Sequence, residues 1–227
     1  MGYKLTWVYI RPNGTEQKIR PEWWTPWADT IVYYPFSSDY NDHSWNGYNI
    51  TTTGASSIWI NQWVSCLSVN NSKVSASTID AMTTYNEYTW LFYCYRVSDW
   101  LTIQFNEWGA WGWNWPSFRS WNTNEVRWGN DTNTYTQFSS SYCPMNTRFL
   151  WALVVRNGDW IIYCNNNSTT IKTWVIAPVN NASGFNIWAV QNDSYAYVSK
   201  LIIEKKARTD QEILDYFDAT KANYWIS

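Results

Sequence analysis

Histidine is almost absent from this chain: His43 is the only one in 227 residues. A zinc site built on two histidines is therefore excluded, and a Ser-His-Asp triad would have to recruit His43, around which no partner pattern stands. Cysteine occurs four times, as Cys66, Cys94, Cys143 and Cys164. No C-x-x-C pair is among them, which removes the ordinary metal and dithiol motifs. Cys66, Cys94 and Cys164 lie inside apolar, strand-like runs, where a thiol serves as a small buried hydrophobe. Four thiols allow three disulfide pairings, among which the sequence does not choose. Long apolar runs are missing too. No stretch approaches the roughly 20 residues of a membrane-spanning helix, and Met1-Gly2-Tyr3-Lys4-Leu5 lacks the apolar core of a signal peptide. Charge is sparse and balanced, with 16 basic against 18 acidic side chains. Without a basic run, nucleic acid is not an expected partner, because Lys and Arg on phosphates supply that affinity.

Glycine is scarce as well, at nine residues, where average usage would give about 16. Tryptophan is abundant, at 20. Several tryptophans stand in turn-like contexts: Asp42-His43-Ser44-Trp45-Asn46-Gly47, Ser98-Asp99-Trp100 and Asn157-Gly158-Asp159-Trp160. A bulky aromatic is strained where a turn demands positive φ, whereas glycine is free there. Two readings follow. Either the surface is Trp-rich, or the gene uses UGA for glycine and the codon was rendered as tryptophan. UGG codons at Trp45, Trp100 and Trp160 would exclude the second.

Strand signal fills most of the chain. Tyr3 to Ile10 and Gln17-Lys18-Ile19 flank Pro12-Asn13-Gly14, and Asn-Gly between such runs predicts a hairpin. Pro21, Pro26, Trp23, Trp24 and Trp27 follow as a linker, so residues 1–28 read as an appendage to a domain over 29–227. Further strands are expected at Thr30–Tyr34, Tyr48–Thr52, Val64–Val69, Tyr88–Arg96, Leu101–Phe105, Phe149–Arg156, Trp160–Cys164, Lys172–Ile176, Phe185–Ala189 and Ala196–Ile203. Many short strands between turn signals predict an all-β sandwich or barrel. Helix signal is confined to the end. Thr209-Asp210-Gln211-Glu212 is a capping box, and Ile213, Leu214, Tyr216 and Phe217 continue it at helical spacing over 210–221.

Three segments carry a resemblance. Tyr33-Tyr34-Pro35-Phe36, followed by Asp39-Tyr40-Asn41-Asp42-His43-Ser44-Trp45-Asn46-Gly47, resembles the opening strand and turn of concanavalin A-like lectin/glucanase domains of the laminin-G type. Trp45 stands at that family's first glycine. Phe149 to Val155 with Trp160 to Asn166 resembles its strand pair, and Val198 to Ile213 is similar to its closing strand and short helix. The resemblance covers roughly residues 30–221. It implies a two-sheet jelly-roll sandwich with a short C-terminal helix, recruited generally for binding and sometimes for glycan cleavage. Cleavage is not expected. The family's glucanases carry Glu-x-Asp-x-x-Glu on one strand, whereas Glu107 and Glu125 are isolated and Asp210, Glu212 and Asp215 belong to the helix.

The densest unusual segment runs from Asn106 to Pro116. Trp108, Trp111, Trp113 and Trp115 read as a platform for sugar rings, with Asn114 and Arg119 placed to hydrogen-bond hydroxyls. A protein contact, core packing or substituted glycine would account for the same residues. Asp39, Asp42 and Asn46 offer oxygens to a calcium ion, while Asx turns explain them without metal. No other cofactor is required. Asn165-Asn166-Asn167-Ser168 reads as a polar hairpin tip, either a rim contact or a solvated turn. The expected function is non-catalytic recognition of cell-surface glycan, or of a protein receptor, by a virion, tail-fibre or bacterial surface adhesin. Weak single sites would be raised by multivalency in a homo-oligomer. The competing expectation is a structural virion or surface protein that assembles through its jelly roll without binding sugar.

Overall fold

Two strands show how the chain is layered. Along Tyr88–Arg96 every residue but Tyr95 is buried, and along Arg148–Arg156 every residue but Arg156. A strand buried on both faces must have a layer above it and another below. The computed structural model describes residues 7–10, 16–19, 29–53, 56–70, 72–76, 87–97, 101–105, 117–120, 124–127, 135–172, 185–189 and 195–226. Among these, β1 (Trp7–Ile10) and β2 (Glu16–Ile19) pair antiparallel as a two-stranded sheet of their own, the hairpin that Asn13-Gly14 predicts.

One large sheet contains, in spatial order, β4 (Ile50–Thr53), β7 (Ser72–Ala76), β16 (Phe185–Ala189), β9 (Leu101–Phe105), β10 (Ser117–Ser120), β11 (Asn124–Arg127) and β12 (Tyr135–Phe138). The other orders β5 (Ser57–Asn61), β6 (Val64–Asn70), β17 (Tyr195–Glu204), β8 (Tyr88–Arg96), β13 (Arg148–Arg156), β14 (Asp159–Cys164) and β15 (Asn167–Lys172). Its eighth strand, β3 (Thr30–Tyr34), pairs the second half of β17, while β6 pairs the first half. All described pairings are antiparallel, so the chain is an all-β sandwich with one short C-terminal helix.

The core between the sheets is aromatic. Trp151 of β13 stacks on Phe92 of β8 with centroids 5.1 Å apart, and meets Phe118 of β10, from the opposite sheet, at 4.8 Å. Such pairs each add about 0.5–1.5 kcal/mol beyond the area they bury. Trp90, Leu153, Val155, Trp160 and Ile162 extend this layer from the eight-stranded side, and Val74 and Ile187 meet it from the seven-stranded side. A bulge between Val198 and Lys200 exchanges the faces of β17. Ala196 and Val198 face the core before it, Leu201 and Ile203 after it.

The outer face of the eight-stranded sheet is covered by α1 (Asp210–Thr220) and a 3-10 turn (Lys221–Tyr224). Ile213, Phe217 and Tyr224 join Tyr33, Leu91, Tyr93, Leu150 and Ile202 in a second buried cluster. Tyr93 and Tyr224 stack at 3.7 Å, and the Tyr93 hydroxyl is hydrogen-bonded to Thr220. The capping box forms as its residues require, Thr209 accepting from the Glu212 amide and Glu212 from the Thr209 amide. Arg208 ties the helix to the sheet. Its Nε and Nη2 donate to the fully buried Glu204 at 2.6 and 2.8 Å, and its Nη1 to Glu212 at 3.1 Å. Burial lifts the Glu204 carboxyl to about 7 despite that fork. Glu212, held by Lys206 at 2.5 Å, is pulled down to about 2.

Trp160 is not a turn residue. It is fully buried in β14, and the turn before it is made by Asn157 and Gly158, at φ 53° and 82°. Among the described residues, the tryptophans at positive φ are Trp63 at 65°, beside Gln62 at 48°, and Trp225 at 56°. Trp63 is 87% exposed and Trp225 69%. Trp45 is not among the positive-φ residues, and Trp100 lies outside the described residues. The strand expected at Lys172–Ile176 overlaps β15 only at Lys172, since β15 begins at Asn167, and residues 173–176 also lie outside the described residues. All four cysteines are buried free thiols, the fate expected of Cys66, Cys94 and Cys164.

Two expectations about stability follow. Trp63→Gly should stabilise the fold by up to about 1 kcal/mol in urea unfolding, since it relieves a left-handed residue that packs on little. The ionisation of Glu204 sets a pH slope. An acid whose folded value is raised stabilises fully below its ordinary 4.5, and that contribution is lost as pH climbs to about 7. Glu204→Gln should remove this slope between 4.5 and 7, measured as the urea midpoint against pH.

Candidate functional site

Period-two alternation sorts the seven-stranded sheet into two faces. The inward row is fixed by buried residues: Val74, Ile187 and Phe118 are each fully buried. In register with them stand Ile103 and Val126. The neighbouring rows must therefore occupy the opposite face. One runs Lys73, Trp188, Thr102, Arg119 and Glu125 across β7, β16, β9, β10 and β11. The other runs Ser75, Asn186, Gln104, Ser117 and Arg127 across the same strands. No register shift interrupts these pairings, so the sorting holds along the sheet.

This face is chemically unlike every other layer. Its positions are charged, amide or hydroxyl residues, with Trp188 near the middle and Tyr135 at the β12 edge. Among the described residues, no apolar cluster covers it as α1 covers the other sheet. Strands spaced ~4.8 Å apart make it a platform on which an aromatic is surrounded by hydrogen-bonding groups. Such a surface suits a ligand with both apolar and hydroxylated faces.

Of the residues the sequence singles out, Arg119 lies on this platform, in β10. Trp108, Trp111, Trp113, Asn114 and Trp115 lie outside the described residues, between β9 and β10. Sequence reading missed Trp188, Lys73 and Gln104 as site residues. Gln104 had a signal in the alternation Leu101-Thr102-Ile103-Gln104-Phe105, in which the polar members share one face.

The turn after β3 is built around Asp42. Its Oδ1 accepts from the amides of Tyr33 and Ser44, each at 2.9 Å, and its Oδ2 from the Ser44 hydroxyl at 2.7 Å and the Tyr48 amide at 2.9 Å. Asn46 directs its amide nitrogen to the Ile31 carbonyl at 2.8 Å. Asp39 accepts from the Asn41 amide and meets His43 Nε2 at 3.1 Å. Calcium needs six to eight oxygens. Here Asp42 is saturated by donors and Asn46 presents nitrogen, so this arrangement does not fit a calcium cage. Asn165, at the expected polar tip, is likewise structural. Its side-chain oxygen accepts from the Leu150 amide and its own amide donates to the Leu150 carbonyl, both at 2.9 Å.

A separate feature is the β5–β6 hairpin at the sheet edge. Trp59 and Ile60 are 60% and 66% exposed there, beside Trp63 at the tip.

No family model and no curated protein matches the chain in sequence. Solved structures do share its fold. Domain 4 of AbnA, an extracellular GH43 arabinanase from Geobacillus stearothermophilus, solved with arabinotriose, superposes with a TM-score of 0.65 at 16% identity, over 82% of this chain and 97% of that one. The binding domain of Paraclostridial Mosquitocidal Protein 1 gives 0.66 at 14% identity, over 84% of this chain and 52% of that one. The binding domain of botulinum neurotoxin DC, solved with rat synaptotagmin II, gives 0.60 at 15% identity, over 84% and 51%. The chain thus spans about half the length of the last two domains. At such identities the likeness shows a shared β-sandwich fold of the kind found in binding domains.

Asp42→Ala should cost about 2–4 kcal/mol, because four donors lose their acceptor. Calcium and chelator should leave the melting temperature of the native chain unmoved. A calcium-dependent rise would mean that the turn rearranges to admit metal.

Proposed function

We propose that the chain is a non-catalytic recognition module that binds carbohydrate on the open face of its seven-stranded sheet. The observation that carries this reading is the register itself, which sets Trp188 among Lys73, Thr102, Arg119, Asn186 and Gln104. Sugar rings have apolar faces that stack on an aromatic and hydroxyl rims that hydrogen-bond amides and hydroxyls. The arabinotriose-bound arabinanase domain, nearly all of whose length this chain matches, supports a sugar ligand. Glu125 is the one carboxylate that the described strands bring to this face, whereas glycoside hydrolysis through paired carboxylates needs two about 5–9.5 Å apart. Binding without cleavage is the chemistry it favours.

Within this reading the fold is concanavalin A-like. The module serves as a surface or virion adhesin, with several copies compensating weak single sites. A second reading, a protein receptor, is favoured by the exposed Trp59 and Ile60, and one neighbour was solved with a protein partner.

Trp188→Ala separates the two. It should weaken binding to glycan-array hits at least about tenfold, with urea stability little changed. Retained sugar binding in Trp188→Ala, lost instead on Trp59→Ala, would move the site to the hairpin.

A further inference from the structure

From the edge of the eight-stranded sheet we infer that two copies of this chain pair through β5, antiparallel and centred on Trp59, so that one sheet continues into the next. The inference concerns assembly and stands independently of what the module binds. Among the described residues β5 pairs only with β6, so its other side is an edge of that sheet. A strand edge is a template for a further strand, and proteins usually blunt it with charge, proline or a bulge. β5 has none of these. Its register with β6 is unbroken, and no Lys, Arg, Asp or Glu occurs from Ser44 to Ser72. The opposite edge, β15, is polar in sequence and ends on Lys172.

The hairpin determines which backbone groups meet the edge. Asn61 and Val64 flank a two-residue turn, in which Gln62 and Trp63 both have positive φ. A turn of this kind makes its flanking residues a hydrogen-bonded pair. Alternation then points the amides and carbonyls of Ser57, Trp59 and Asn61 toward β6, and those of Ile58 and Ile60 outward. An incoming strand is offered both outward sets.

The strand also matches itself. Ser57-Ile58-Trp59-Ile60-Asn61 has the same apolar and polar pattern from either end. In an antiparallel pair of copies, Trp59 stands opposite its own counterpart, Ile58 opposite Ile60, and Ser57 opposite Asn61. The outward groups of Ile58 and Ile60 then exchange hydrogen bonds on either side of a two-fold axis. Such self-complementarity is what a two-fold interface requires.

Exposure points to a neighbouring strand. Trp59 and Ile60 belong to opposite faces of β5, yet they are 60% and 66% exposed. A partner resting on one face would cover only one of them. A strand alongside covers both, because cross-strand pairs form on each face. Arg148 holds the edge in place, its Nη2 donating to the carbonyl and side-chain oxygens of Asn61, each at 3.0 Å. A five-residue strand makes a small interface, so the dimer is a reversible one.

The test is analytical ultracentrifugation of the intact chain from about 1 to 200 µM, beside Ile60→Lys. The native mass should climb toward twice the monomer value with concentration. Ile60→Lys should stay monomeric throughout with its urea midpoint little changed, since Ile60 is exposed. Register is read by oxidation of two cysteine variants. Trp59→Cys should cross-link into a disulfide dimer, because residues opposed in a non-hydrogen-bonded pair stand ~4.5 Å apart between Cα atoms. Ser57→Cys, ~14 Å from its counterpart, should not. The four native thiols are buried and do not compete. A native chain that stays monomeric leaves the edge to a different partner and overturns the inference. So does a dimer that Ile60→Lys leaves intact, or cross-linking of Ser57→Cys as complete as that of Trp59→Cys.

Discussion

The contact between Trp151, Phe92 and Phe118 governs the rest of the molecule. It is the place where the two sheets meet through their largest side chains. Once Phe118 is committed to the core, its neighbours Ser117 and Arg119 must occupy the other side of β10, because a strand has no third face. The unbroken antiparallel register then carries that decision to β9, β16 and β7. A one-residue slip would bury Arg119 and expose Phe118, which makes the slipped pairing prohibitively costly. The open platform is thus a consequence of core packing.

The two sheets resolve the same physical problem in opposite ways. The eight-stranded sheet has apolar residues on both faces and must cover the outer one, which α1 and its following turn do. The covering layer is fastened by stacked Tyr93 and Tyr224 and by Arg208, which spans the buried Glu204 and the capping Glu212. The seven-stranded sheet concentrates its aliphatic residues on one face, and the rows of the other are polar apart from Trp188 and Tyr135. A face of that composition needs no apolar layer over it, and among the described residues none covers it.

The legible and illegible parts of the sequence divide along this line. Strands β8, β13, β14 and β17 stood out because burial on both faces demands continuous apolar runs. The helix was legible through its capping box, a local device that needs no tertiary context. Strands β5, β7, β10, β11 and β12 were not anticipated. They are short, and Ser72–Ala76, Ser117–Ser120 and Asn124–Arg127 are dominated by Ser, Lys, Arg and Asn, the residues of turns. Only pairing with neighbours makes strands of them. The same polarity that hid them from the sequence is what suits their outer face to a ligand. Turn geometry was also misread at Trp160, where Asn157-Gly158 was sufficient as the turn and the following strand claimed the tryptophan. Trp63 and Trp225 gave no such cue, since left-handed backbone at a bulky residue has no sequence signature.

A platform on paired strands differs mechanically from one built on loops. Successive residues along each inner strand hydrogen-bond alternately to the strands on either side, and the spacing of the rows is set by the sheet at ~4.8 Å per strand. Little backbone ordering entropy would remain to be lost on binding, which favours affinity. Selectivity then has to come from what the rows contain.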